Sequence, residues 1–237
     1  LLERNRKRIE PLAKELGATK QEVHRNLVRL EASGLITKEK DGKYSLTTFG
    51  KTMCVEIPSI LFLSQHNEYF QDHDFGNIPL KFVMRAGQLA TGSHIKGITK
   101  TLQKWKSVYS NANEYICEIL SEIPEDLFDP ILKKIKNGVK FEYIVSESAI
   151  VPEGRLTRLK KSGFYELIEN GSIERKMQRS VQTVVVLNEK EACIFFPKNG
   201  EADLTEMFYS DQDVFHEWCL DYFRYCWYNS GSFQENK

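Results

Sequence analysis

The feature that most limits what this chain can become is a short helix with a fixed beginning, over residues 19–31. Thr19 and Glu22 stand three apart. At that spacing the threonine hydroxyl accepts from the Glu22 amide while the Glu22 carboxylate accepts from the Thr19 amide, a reciprocal capping box. Val23, Leu27 and Leu30 then recur at helical spacing and form an apolar stripe. Lys20, Gln21, His24, Arg25 and Arg29 fall off that stripe, and acidic residues are confined to Glu22 and Glu31 at the ends. Such a face offers ammonium, guanidinium and amide donors, the groups that pair with phosphates and base edges in a DNA major groove. In isolation a solvated, charged helix face would account for the pattern better, so the flanks decide.

Upstream, Ile9, Leu12, Ala13 and Leu16 make a second amphipathic helix that ends at Gly17, a residue suited to a left-handed C-terminal cap. The turn through Gly17, Ala18 and Thr19 is short enough to set the two helices at a steep angle. Downstream, Gly34 ends the second helix. Residues 35–40 read as a strand, Asp41 and Gly42 as a tight hairpin turn, and residues 43–46 as the return strand. The order predicts a winged helix-turn-helix over residues 1–50. It would bind double-stranded DNA through Thr19, Lys20, Gln21, His24, Arg25, Arg29, Lys38, Lys40 and Lys43.

Charge distribution supports that placement. The chain balances 33 Lys+Arg against 33 Asp+Glu. Residues 1–51 hold 12 basic and 7 acidic side chains, a net +5, which leaves 21 and 26, a net −5, for the remainder. No apolar run approaches the ~18 residues of a membrane span, and no signal-peptide pattern is present. A membrane is therefore not an expected partner, and the expected location is cytoplasmic. Five cysteines without a C-x-x-C pair read as reduced, mostly buried thiols. The chain opens on Leu1, Leu2 and Glu3, where a winged helix normally carries an earlier helix, so a preceding N-terminal part is expected.

Residues 51–77 read as a connecting helix and linker. Thr47 or Thr48 can cap a long helix running through Phe49, Met53, Val55, Ile60, Leu61 and Leu63 to about residue 70. Pro58 predicts a kink or break near Ile57. A homodimer is expected, formed through this helix or the body, because one winged helix contacts few base pairs and a dimer reads two half-sites. The polar residues 71–77 are the expected linker.

From residue 78 to 237 helical and strand patterns alternate, predicting an α/β domain with a mixed sheet and an overall α+β chain. Helices are expected over residues 79–85, 98–109, 124–135, 155–162 and 211–230. Strands are expected over 114–120, 139–145, 172–177, 181–187 and 192–197, with a loop or strand at 89–95. In the second of these, Val139, Phe141, Tyr143 and Val145 share one face. The β-branched run at 181–187 suits a central strand buried on both sides. The last helix carries Phe215, Trp218, Tyr222, Phe223, Tyr225, Trp227 and Tyr228, with Glu217, Asp221 and Arg224 as its polar stripe. A helix so apolar must be covered on more than one side.

A family resemblance enters at these residues. The segment from Glu189 to Pro197, then Gly200 to Asp203, then Ser210 to Cys219 with Asp221, Tyr222, Phe223 and Trp227, resembles the body of archaeal winged-helix regulators. Their middle domain is of the methanogenesis regulatory protein type. The resemblance extends over essentially the whole chain. It implies a transcription regulator whose effector body senses a small molecule or assembles subunits, and it implies no particular ligand.

Catalysis is not expected. Phospholipase D chemistry needs His-x-Lys-x4-Asp twice, to place paired histidines on opposite sides of a phosphorus centre. Here His94, Ile95 and Lys96 occur once, Thr101 stands at the acidic position, and there is no second His-x-Lys. A phosphodiesterase of that type is the weakest alternative, behind a winged helix used as a protein-interaction adaptor. His66, His73 and Asp74 match no common metal spacing, and there is no phosphate-binding loop or dinucleotide fingerprint. No metal and no cofactor is expected. An effector pocket, if present, is expected between sheet and helices, lined by Arg85, Tyr143, Arg155, Arg175 and Trp218.

Overall fold

Gly17 ends the first helix, α1 (Ile9–Leu16), at a φ of 61° that a side-chain-bearing residue adopts only with strain. In this computed structural model, which describes residues 1–3, 5–122, 124–149 and 154–234, α2 (Lys20–Ala32) follows directly. Thr19 caps it, and the Glu22 carboxylate returns to the Thr19 amide at 3.0 Å, completing the capping box. Gly34, again with positive φ, closes α2 through Gly34 N–H to Glu31 O and Leu35 N–H to Leu30 O. An antiparallel hairpin follows, β1 (Ile36–Lys38) and β2 (Tyr44–Leu46), with Ile36 opposite Leu46 and Lys38 opposite Tyr44.

Lys7, before α1, adds a bridge to this hairpin by exchanging two backbone hydrogen bonds with Tyr44. No periodic signal in the sequence marks it. The core beneath is Leu12, Ala13, Val23, Leu27, Ile36 and Tyr44. Leu16 and Leu30, expected in the same stripes, are instead 59% and 39% exposed. They lie at the edge of the helix pair and line a shallow apolar depression with Met53 and Ile57.

Thr47 caps the next helix, α3 (Thr48–Gln65), by accepting from Gly50 N–H, and its own hydroxyl donates to Gly34 O. Pro58 lies inside α3, so of the expected kink or break near Ile57 the break does not occur. The helix ends at Gln65, short of residue 70. The chain divides into two compact units, Leu1–Leu61 and Phe62–Lys237. Residues 71–77, where the sequence suggests a linker, are held within the second unit. Asp74 N–H donates to Pro197 O, His73 pairs with Asp203, and Phe75 stacks on Phe70.

The second unit is a mixed α+β body around an eight-stranded sheet. It runs from α4 (Leu80–Val83) through β3 (Ser93–Lys96), α5 (Ile98–Asn111), β4 (Tyr115–Leu120), α6 (Phe128–Lys136) and β5 (Lys140–Ser146). Two short helices, α7 (Arg155–Lys161) and α8 (Phe164–Glu169), lead to β6 (Ile173–Gln178). Then come β7 (Val184–Asn188), β8 (Ala192–Phe195), the small pair β9 (Pro197–Lys198) and β10 (Glu201–Ala202), β11 (Glu206–Ser210), α9 (Asp213–Asn229) and β12 (Gly231–Ser232).

The sheet order is β12-β6-β5-β4-β7-β8-β11-β3. β4, β5 and β6 are parallel neighbours, and the other pairings are antiparallel. β7 and β8 are buried along their whole length, as their β-branched and aromatic residues demand. On α9, Phe215, Trp218, Cys219, Tyr222, Phe223 and Cys226 are buried. Four of the five cysteines are buried thiols, and Cys54 is half-buried. Among the described residues, no helix is long and apolar enough to cross a membrane.

Candidate nucleic-acid interface

Because the α1 and hairpin sides of α2 hold Val23 and Leu27, its remaining surface is turned to solvent. Thr19, Gln21, His24, Arg25, Val28 and Arg29 line one shallow depression along that surface, with the capping Glu22 as its acidic member. Gln21, Arg25 and Arg29 follow at i, i+4 and i+8, so they project from one side of the helix. Among the described residues, neither Arg25 nor Arg29 has a carboxylate within ion-pair distance. Lys20 differs, since its ammonium pairs with Glu10 on α1. Thr19 is occupied as a cap and holds the start of the helix.

The hairpin divides its lysines in the same way. Lys43 pairs with Asp41 at 2.9 Å across the turn. Lys38 and Lys40 are exposed, and Lys38 Nζ lies 5.8 Å from the centre of the Tyr44 ring. Backbone Lys38 N–H donates to the Glu31 carboxylate at the end of α2, which fixes the hairpin beside that helix. Of the expected contact residues, Arg25, Arg29, Lys38 and Lys40 are therefore the Arg and Lys side chains without an acidic partner among the described residues. Val28, 49% exposed within the same depression, is an apolar member that the charge pattern does not single out.

The five residues expected to line a ligand pocket separate into two sets. Tyr143, Arg155 and Arg175 line one cavity of about 200 Å³ in the second unit. Trp218 is fully buried in the core, where its indole N–H donates to Phe82 O. Arg85 pairs with Asp221 at 2.9 Å and does not line the cavity. Leu159, Met177 and Phe233 complete its apolar wall. They come from α7, β6 and the chain beyond β12, too far apart in sequence for spacing to connect them.

His94 lies on the edge strand β3 with its Nε2 2.8 Å from the Glu206 carboxylate and its ring stacked on Phe208. Burial holds its pKa below the ordinary imidazole range, against the opposing pull of Glu206. Lys96 Nζ approaches the same carboxylate at 3.6 Å. Thr101 is buried and donates to Ile98 O and Leu204 O. His73 is held between Tyr69 O and Asp203. Among the described residues, no group of three or more His, Cys, Asp or Glu side chains is placed to hold a metal ion.

No protein-family model and no curated protein matches the chain. Solved structures resemble it weakly. TrmBL2, an archaeal chromatin protein, matches 96% of this chain over 88% of its own, with 14% identity and a TM-score of 0.48. NucT from Helicobacter pylori matches 60% of this chain over 98% of its own, with 13% identity and a TM-score of 0.46. Nuc from Salmonella typhimurium, a phospholipase D family member, matches 61% over 99%, with 13% identity and a TM-score of 0.45. Similarities of this strength assign neither a family nor a function.

Proposed function

We propose that this chain is a sequence-specific, DNA-binding transcription regulator of the archaeal winged-helix type. Its first unit would read duplex DNA, and its second would sense a small molecule or assemble subunits. The observation that carries the reading is the unpaired cationic side of α2, with Gln21, Arg25 and Arg29 in line beside the exposed Lys38 and Lys40 of the hairpin. A guanidinium fork matches the acceptor pair of guanine or a phosphate, and an amide matches adenine. On this reading α2 is the recognition helix and the hairpin is the wing. Lys20 and Lys43, already engaged with Glu10 and Asp41, contribute less than Arg25 and Arg29.

The test is fluorescence anisotropy with labelled duplexes selected from a random-sequence pool. Arg25→Ala combined with Arg29→Ala should weaken binding at least about thirtyfold, since each good base or phosphate contact is worth about 1–3 kcal/mol. Lys20→Ala should cost less. Undiminished binding by the double variant would remove α2 as the reading element. If the purified chain binds no duplex at low salt, the winged helix serves protein contact instead.

The body is read as non-catalytic, because the sequence supplies one His-x-Lys and Thr101 where an acid is needed. Hydrolysis of bis-p-nitrophenyl phosphate that vanishes in His94→Ala would reverse this.

A further inference from the structure

In an α/β sheet, ligands bind outside the carboxyl ends of parallel strands. Here those strands are β4, β5 and β6, and the cavity of about 200 Å³ opens there, beside Val145 and Ser146 of β5 and Met177 of β6. α7 and α8, which carry the chain from β5 to β6, form its far wall through Leu159 and Phe164.

Arg155 distinguishes this space from an ordinary packing gap. Its guanidinium is half-buried, and among the described residues it has no ion pair and no side-chain hydrogen bond. The nearest aromatic face is that of Phe128, 5.8 Å from its Cζ. Arg158, one turn further along α7, is by contrast fixed to Asp129 at 2.8 Å. A cation drawn out of water without a counter-charge is costly. Burial lowers the pKa of Arg155, and Glu125, the acid that shares an adjoining space with it beyond ion-pair distance, opposes this only in part. The same side chain also lines two smaller adjoining spaces, of about 30 and 130 Å³, so it stands where the three meet. Behind it, Tyr143 is buried and hydrogen-bonded to Arg175, whose guanidinium lies 4.0 Å from the centre of the Phe233 ring.

We propose that this cavity binds a small organic monocarboxylate, its carboxylate paired with Arg155 and its hydrocarbon part laid against Leu159, Met177 and Phe233. The guanidinium fork supplies two parallel N–H donors to a carboxylate. The volume falls below the ~300 Å³ of drug-sized sites, which favours a compact molecule. This names the ligand class for the sensing half of the function proposed above and rests on that half alone. Binding is measured on the full chain without DNA, so its failure leaves the DNA reading standing, and a failure to bind DNA leaves this one standing.

The probes are phenylacetate and hexanoate, with phenylacetamide as the neutral counterpart of the first and inorganic phosphate as an anion without a hydrocarbon part. Calorimetric titration and thermal melting report binding. Both carboxylates should raise the melting temperature progressively with concentration, whereas phenylacetamide and phosphate should not. Arg155→Gln should weaken phenylacetate at least about tenfold, and Arg158→Gln should leave it within about twofold. Met177→Trp, which fills the cavity without touching the charge, should abolish binding. The proposal is overturned if neither carboxylate binds, if phenylacetamide binds equally, or if phosphate alone stabilises as much. Undiminished binding by Arg155→Gln overturns it as well. Should Arg155→Gln fail to fold, the acid-against-amide comparison and Met177→Trp decide.

Discussion

Glu118 shows how one buried side chain contributes to the pH dependence of stability. It sits on β4, 1% exposed, and accepts hydrogen bonds from Trp105 Nε1 at 2.8 Å and from the Tyr109 hydroxyl. Burial raises its pKa to about 7, and the two hydrogen bonds only partly offset that. A carboxyl whose folded pKa exceeds its unfolded value binds more protons when folded. Stability therefore falls as pH rises from about 4.5 to about 7 and levels off above. A shift of this size corresponds to an order of ~3 kcal/mol. Glu118→Gln keeps an acceptor for both donors and removes the charge. It should be more stable than the parent at pH 8 and nearly equal at pH 4.5, with the parent's decline flattened. Urea unfolding at both pH values measures this, and an unchanged pH profile would assign the decline to other groups. Nothing in the residues around position 118 announces this role, because the partners lie on α5, 9 and 13 residues earlier.

At the scale of elements, legibility follows the range of the interaction. The capping box of α2, the glycine stops at Gly17 and Gly34, and the buried strand β7 depend on residues within a few positions of one another, and the sequence displays them. α8 and β11 are not displayed. α8 is six residues long and held by packing, and β11 gains its place between two partners, β8 just before it and β3 more than a hundred residues earlier. Pro58 shows the limit of a local signal, since the helix continues past a residue whose own preference is to kink or interrupt it. The candidate cavity was legible only as residue types. Arginine and tyrosine suggested themselves, but which of them meet depends on the register that sets Tyr143 beside Arg175. Gly50 is the case where a tertiary contact fixes a residue on a helix. A Cβ there would stand 1.9 Å from Leu35 O, closer than any real contact, and backbone cannot yield as a flexible side chain can. Gly50→Ala should destabilise the first unit by at least about 2–3 kcal/mol despite alanine's better helix propensity. Thermal melting followed on that unit's helical signal tests it, and a stabilised variant would show that α3 and the hairpin entry part without cost.

For the whole molecule, the function proposed above depends on how many copies of the first unit engage one duplex. α3 exposes Phe49, Ile57, Ile60 and Leu61 at 55%, 43%, 62% and 50%, and helical spacing gathers these four on one side. Val55, 69% exposed, falls on the opposite side. Isolated exposed apolar residues need no explanation, but a contiguous row on one helix marks an interaction surface. A second copy of the chain is the partner we propose, because on the proposed function paired units would double the phosphates engaged. Light scattering at micromolar concentration should then give twice the monomer mass. Ile60→Glu should return it to the monomer, and Val55→Glu should not. On the proposed function, the two forms should also differ in the salt dependence of DNA binding. The logarithm of affinity falls with the logarithm of salt by about 0.9 per phosphate neutralised. A dimer engaging both units should therefore show about twice the slope of the Ile60→Glu monomer on the same duplex, whatever the absolute affinities. Equal slopes would mean that one unit contacts DNA at a time and that the row on α3 serves another contact. If Val55→Glu dissociates the protein while Ile60→Glu does not, the pairing surface lies on the other side of the helix.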